Sequence, residues 1–147
     1  MQVKTIIDEK YKEAEIHVCS AVKSEQVQKV AAQIKGLFGT AVAGTDENGK
    51  QMLLPGDILR FYAENQKVFA QTKEGIYSVK EKLYELEERL DSRLFLRISK
   101  SEIVNLSKIR RLEMNLAGTI RVFIGDDICT YTSRRNVTRL KKAMQLL

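Results

Sequence analysis

Residues 92–112, SRLFLRISKSEIVNLSKIRRL, constrain the fold more than any other stretch. Leu94, Leu96 and Ile98 alternate with Phe95, Arg97 and Ser99 on a two-residue period, which predicts a strand over residues 94–98 with unlike faces. Ser99, Lys100 and Ser101 interrupt it with short polar side chains and one cation before a second apolar run, Ile103, Val104 and Leu106. A loop held by strands on both sides presents its cation to a ligand at little ordering cost.

The same stretch opens the basic part of the chain. The net charge is +6 over 147 residues, but residues 1–50 carry seven lysines against seven acids and are neutral. From Arg93 onward there are twelve bases and four acids, a balance that points to a polyanionic partner for the C-terminal half. The chain is long enough for one core plus a small appendage. Cys19 and Cys129 are far apart with no metal-ligand spacing, and are expected as free, buried or half-buried thiols in a reducing cytoplasm. No apolar run reaches the length of a membrane span and the N-terminus lacks a signal core, so a cytoplasmic location is expected.

Taken in order, residues 4–8 and 15–18 read as two strands of a hairpin. Ser24 is a candidate N-cap for an amphipathic helix carrying Val27, Val30, Ala31, Ile34, Leu37 and Phe38, ended by Gly36 or Gly39. Asn48-Gly49 marks a hairpin turn, and the division between the extension, residues 1–50, and the main domain, residues 51–147, is placed here. Strand-like runs follow up to Val79, and the period of Val79, Leu83, Leu86 and Leu90 predicts a helix over residues 79–90. Its carboxylates Glu85, Glu87 and Glu88 read as a solvated face. Beyond the opening stretch, residues 111–116, 120–124 and 128–132 form short strands separated by turn residues, and a last helix carries Val137, Leu140, Met144 and Leu147. The fold class expected is α+β, predominantly antiparallel β, with a short N-terminal strand-helix extension and a C-terminal helix.

Catalysis finds no foothold. His17 is the only histidine, no nucleophile-base pairing can be drawn from the sequence, and there is no phosphate-binding glycine loop or zinc motif. No enzyme activity, cofactor, metal or small-molecule substrate is expected.

The run Phe95-x-Arg97-Ile98-x-Lys100-Ser101-x-Ile103-Val104-Asn105-Leu106 resembles the signature of the LytTR-type DNA-binding domain of bacterial transcription regulators. Asp57-Ile58 leading to Phe61 and Ala63 is similar to the opening of that family, although Tyr62 stands where an acidic residue is usual, and Ser133-Arg134-Arg135-Asn136-Val137 resembles its closing junction. The resemblance implies a stand-alone regulator, without a receiver domain, that binds double-stranded DNA through loops between strands and reads repeated promoter elements as a homodimer. It also implies, for a form without a receiver, a membrane-protein antagonist. Carried over by position, the contacts fall on Lys67, on Ser99, Lys100 and Ser101, and on Arg135, with Arg97, Lys108, Arg134 and Arg139 as phosphate contacts or structural charges. Arg97 and Asn105 have the alternative of satisfying loop backbone.

Two rival functions remain open on the sequence. Tyr62, Phe69 and Tyr131 among basic loops suit an RNA-binding β module that stacks bases. Alternatively, the charge serves solubility alone, in a protein-interaction or sensor domain.

Overall fold

Alternation sets the two sides of the main sheet. In the strand Lys67–Thr72, Val68, Ala70 and Thr72 are buried on one side while Lys67, Phe69 and Gln71 lie on the other. The computed structural model describes the backbone of residues 2–12, 14–38 and 41–145, and the side chains of the same residues apart from 35–38. Among the described residues, ten strands form two antiparallel sheets. The larger contains β1 (Val42–Asp46), β2 (Gly49–Leu53), β3 (Ile58–Glu64), β4 (Lys67–Thr72), β5 (Ile76–Val79), β6 (Phe95–Ser99) and β7 (Glu102–Asn105), in the order β2-β1-β5-β4-β3-β7-β6. The smaller holds β8 (Ile109–Met114), β9 (Ile120–Ile124) and β10 (Ile128–Tyr131), with β9 central. Among the described residues, three α-helices, α1 (Glu25–Phe38), α2 (Leu83–Arg89) and α3 (Val137–Gln145), complete the expected α+β class.

Two cores follow, one on each face of the large sheet. Phe61, Val68, Tyr77, Phe95 and Ile103 pack with Leu83, Leu86 and Leu90 from α2 and its end. On the opposite face Leu59, Ile98 and Val104 meet Ile120, Val122 and Ile124 of the small sheet and Leu140 of α3. Each fully buried aliphatic side chain contributes about 1.5–3 kcal/mol. Because β6 and β7 are covered on both faces, the alternation read from the sequence does not separate a wet face from a dry one: Phe95 enters the first core, Leu96 and Ile98 the second. A register irregularity between Arg97 and Ser99 marks the end of β6.

Several turns bear out their sequence signals. Asp46 pairs with Gly49 across Glu47-Asn48, and Gly49 takes φ 117°. Gly44 is required for a different reason, since a Cβ there would lie 2.8 Å from both Leu53 and Tyr77. The β3–β4 turn places Asn65 and Gln66 at φ 50° and 64°, the left-handed pair of a type I′ hairpin. The β1–β2 hairpin crosses residue 50, and β1 joins the large sheet by pairing Thr45 with Ser78.

Other expectations are corrected. No strand forms at residues 4–8 or 15–18, whose side chains stand exposed without a sheet partner; a lone two-stranded hairpin without a packed face is marginal in water. Val79 belongs to β5, opposite Val68, and the helix begins only at Leu83. A β-branched residue whose side chain enters the same core as Leu83 and Leu86 fits either period. The strand expected at residues 111–116 runs from Ile109 to Met114, leaving Leu116 in the turn. Ser24 does cap α1, its Oγ accepting the Val27 amide at 3.2 Å, and Gly36 lies inside the helix. The proposed stop at Gly39, the side chains of Leu37 and Phe38, and Leu147 lie outside the described residues. Both cysteines are free, as expected, yet exposed rather than buried.

Candidate nucleic-acid interface

The turn Ser99-Lys100-Ser101 is built by Arg97. Its Nε donates to the Ser99 carbonyl at 2.8 Å and an Nη donates to the Lys100 carbonyl, while the other Nη meets Glu87 of α2 at 3.2 Å. The Ser101 amide donates to Ser99 Oγ at 3.3 Å. A planar guanidinium suits this arrangement because its donors leave in fixed directions. With its backbone pinned, Lys100 stands exposed on the turn.

Two further loops meet this turn at the same end of the large sheet. The Ala63 amide donates to the Ser101 carbonyl at 2.8 Å, which sets the β3–β4 hairpin beside it and brings Lys67 to the same rim. The Ser133 amide donates to the Ile98 carbonyl at 2.8 Å, fastening the β10–α3 junction to β6. Within that junction the Asn136 amide bonds the Ser133 carbonyl at 3.0 Å and its side-chain amide donates to Ser133 Oγ at 2.9 Å. This turn buries Asn136 and leaves Arg134 and Arg135 exposed.

The cations of the rim differ from most of the described arginines in having no carboxylate partner. Arg60, Arg89, Arg93, Arg97, Arg111, Arg121 and Arg139 each pair with a carboxylate. Among the described residues, Lys67, Lys100, Arg134 and Arg135 are in no such pair. The acids of the β9–β10 turn, Asp126 and Asp127, lie at the other end of β10 from the junction. Cations free of internal partners release counterions when they meet a polyanion, whereas paired ones must first exchange a carboxylate.

The nine residues singled out in the sequence therefore divide. Lys67, Lys100, Ser101, Arg134 and Arg135 are exposed on the rim, with Ser99 half-buried in the turn. Arg97 lies beneath the turn as its clamp. Arg139 shares Glu87 with Arg97, at 3.7 Å, and also donates to Asn136 at 3.3 Å. Lys108 falls at the opposite end of β7 from the turn, where its carbonyl accepts the Gly125 amide at 3.0 Å. Asn105 is fully buried, donating to the Ile58 carbonyl at 2.8 Å and accepting from the Ser107 amide and hydroxyl at 3.0 and 2.7 Å.

Two carboxylates escaped the sequence reading. Glu87, read as part of a solvated face, bridges Arg97 and Arg139. Buried Glu102, next to the signature turn, binds Arg60 at 2.8 Å and accepts from Thr130, so it ties β7 to β3 and to the small sheet. Only the two-residue offset of Glu102 from apolar Val104, which puts both on one face of the strand, hinted at an inward position. The aromatic rings considered for base stacking are already occupied: Tyr62 stacks on Phe69 with centroids 5.5 Å apart beneath Arg60, and Arg121 lies over Tyr131. The Tyr131 hydroxyl accepts from Arg121 at 3.2 Å, a bond that holds the guanidinium above its usual range.

Comparison with known proteins agrees with this architecture. The chain is similar, at 30% identity over 147 residues and 99% of both lengths, to a protein of Staphylococcus aureus strain MSSA476 named as an HTH-type transcriptional regulator. A counterpart from strain NCTC 8325 is 29% identical over the same span. A helix-turn-helix has no equivalent among the described residues, since five strands separate α2 from α3. The LytTr DNA-binding domain of a methyl-accepting/DNA response regulator from Bacillus cereus superposes with a TM-score of 0.68 at 19% identity, covering 71% of this chain and 96% of that one. The family model described as the LytTr DNA-binding domain matches residues 49–145, and the chain belongs to that family.

Proposed function

We propose that this chain is a cytoplasmic transcription regulator that reads repeated promoter elements in double-stranded DNA as a homodimer, with residues 1–50 as a dimerisation or regulatory element and residues 51–147 as the DNA-binding part. The observation that carries the reading is the meeting of three loops, bearing Lys67, Lys100 and Arg134–Arg135, at one end of the sheet with no carboxylate in salt-bridge range among the described residues. Lys100 and Arg135 reach base edges, Arg135 with a fork suited to guanine. Lys67, Ser99, Ser101 and Arg134 hold phosphates, and Arg139 adds a weaker contact further out. Arg97 serves by shaping the turn. The relatives' naming as transcriptional regulators supports the regulatory role. Among the described residues no helix is long and apolar enough to cross a membrane, so an antagonist in the membrane would be a separate protein; a pull-down from membranes that recovers none overturns that part.

Affinity for duplex DNA across a salt series tests the reading. With about six phosphate contacts the slope of log affinity against log salt is about −5, a loss of about a thousandfold between about 50 and 200 mM. Salt-insensitive behaviour, or stronger retention of single-stranded RNA than of duplex DNA, contradicts it.

A further inference from the structure

Among the described residues, the segment 2–24 leaves many apolar side chains in water: Val3 and Ile7 are 97% and 95% exposed, and Ile6, Ile16 and Val22 all exceed half. The apolar stripe of α1, Val27, Val30, Ala31 and Ile34, is only half-buried, against the turn Pro55–Asp57. Exposed apolar side chains gathered in one segment suit an interaction surface. The arm holds four lysines and four acids, so neither DNA phosphate nor an anionic lipid surface attracts it.

The order of side chains in the arm says what covers it. Ala14, Ile16 and Val18 fall on one face of an extended chain, Glu15 and His17 on the other. Set antiparallel against a copy of itself about Ile16, the segment places Ile16 opposite Ile16, Ala14 opposite Val18, and Glu15 opposite His17 in both directions. Glu15 and His17 already meet at 2.8 Å within each chain, so pairing exchanges the two existing contacts for two across the pair, with no change in their number. A two-fold interface requires that reciprocity, residue i meeting j and j meeting i.

We infer that residues 14–18 of two copies pair as antiparallel strands, with the α1 stripes packed on the ribbon they form. A two-stranded ribbon needs an apolar face covered to persist in water, and the half-buried Val27, Val30 and Ile34 supply that cover. This inference names the surface for the homodimer in the reading above and rests on that reading only for what the dimer does.

The test uses the full chain, first without DNA. Sedimentation is expected to give a dimer for wild type and a monomer for Ile16→Glu, with self-association weakened about a hundredfold or more because two carboxylates face each other at the axis. Ile16 is exposed in the single chain, so the variant keeps its circular dichroism spectrum and melting temperature. In a Cys19→Ser, Cys129→Ser background, Ile16→Cys crosslinks to itself on mild oxidation while Lys12→Cys does not. A monomeric wild type, a dimer that survives Ile16→Glu, or equal crosslinking at both positions overturns the inference. Binding of Ile16→Glu to a single DNA element at wild-type affinity, with loss only of the gain from a second element, keeps the DNA reading separate. If the protein dimerises as described but binds no duplex, the DNA reading alone falls.

Discussion

The amide of Ser133 donates a 2.8 Å hydrogen bond to the carbonyl of Ile98, one residue before the turn that Lys100 crowns. With the Ala63–Ser101 bond, it makes one rigid end of three loops distant in sequence. Ser133 has φ −71°, a value proline adopts, so Ser133→Pro deletes the donor and the hydroxyl at an accessible φ, and its ring Cδ, standing where the amide hydrogen was, presses on the Ile98 carbonyl and adds to the loss. We expect a cost of about 1–3 kcal/mol from the orphaned carbonyl and weaker duplex binding by about tenfold. Ser133→Ala, which keeps the amide, should lose less of both. Equal effects of the two, by thermal unfolding and duplex titration, would place the role in the hydroxyl.

Arg97 separates charge from shape. Lysine at this position keeps a cation but cannot donate to two carbonyls and Glu87 at once. Arg97→Lys and Arg97→Ala are therefore both expected to lower duplex affinity about tenfold, with the salt slope little changed. Rescue by lysine, or a slope shallower by about one in the alanine variant, would make Arg97 a direct phosphate contact.

Asn105 is expected to matter for stability alone. Truncation to alanine orphans the Ile58 carbonyl and the Ser107 amide in a fully buried site, at a cost of about 2–4 kcal/mol in denaturant unfolding. Binding per folded molecule at low temperature should be unaltered; a specific loss there would point to a contact with DNA.

The side chain of Arg93 bonds Asp91 at the start of the signature strand and holds its carboxyl below the usual range. A depressed folded value stabilises the native state above the unfolded value, about 3.9, and this contribution fades as pH falls through the folded one. The stability gap between wild type and Arg93→Ala should thus be small, because Arg93 is largely in solvent, constant near neutrality, and closed at strongly acid pH. Denaturant midpoints across a pH series check it, and a gap that persists in acid would assign Arg93 another role.

What could be read in advance depended on whether the signal was local. The turn at Asn48-Gly49, the Ser24 cap and the strand ending at Ser99 rest on neighbours in sequence, and each appears close to its expected place. Val79 and Leu83 share one core, so period alone could not tell strand from helix. The links of Arg97 and Arg139 to Glu87, and of Glu102 to Arg60 and Thr130, join residues brought together only by the tertiary fold. Proximity of Lys67, Lys100 and Arg135 was implied by family resemblance; the backbone bonds that create it had no signature in the chain.

The most direct test is selection of bound duplexes from a random DNA pool at near-physiological salt, with wild type beside Lys100→Ala and Arg135→Ala. The account predicts enrichment of a repeated motif by wild type and relaxed preference at different defined positions in each variant, with about 1–3 kcal/mol of discrimination lost at each. No enrichment, or the same motif at the same strength from all three proteins, would contradict the assignment of sequence reading to this rim.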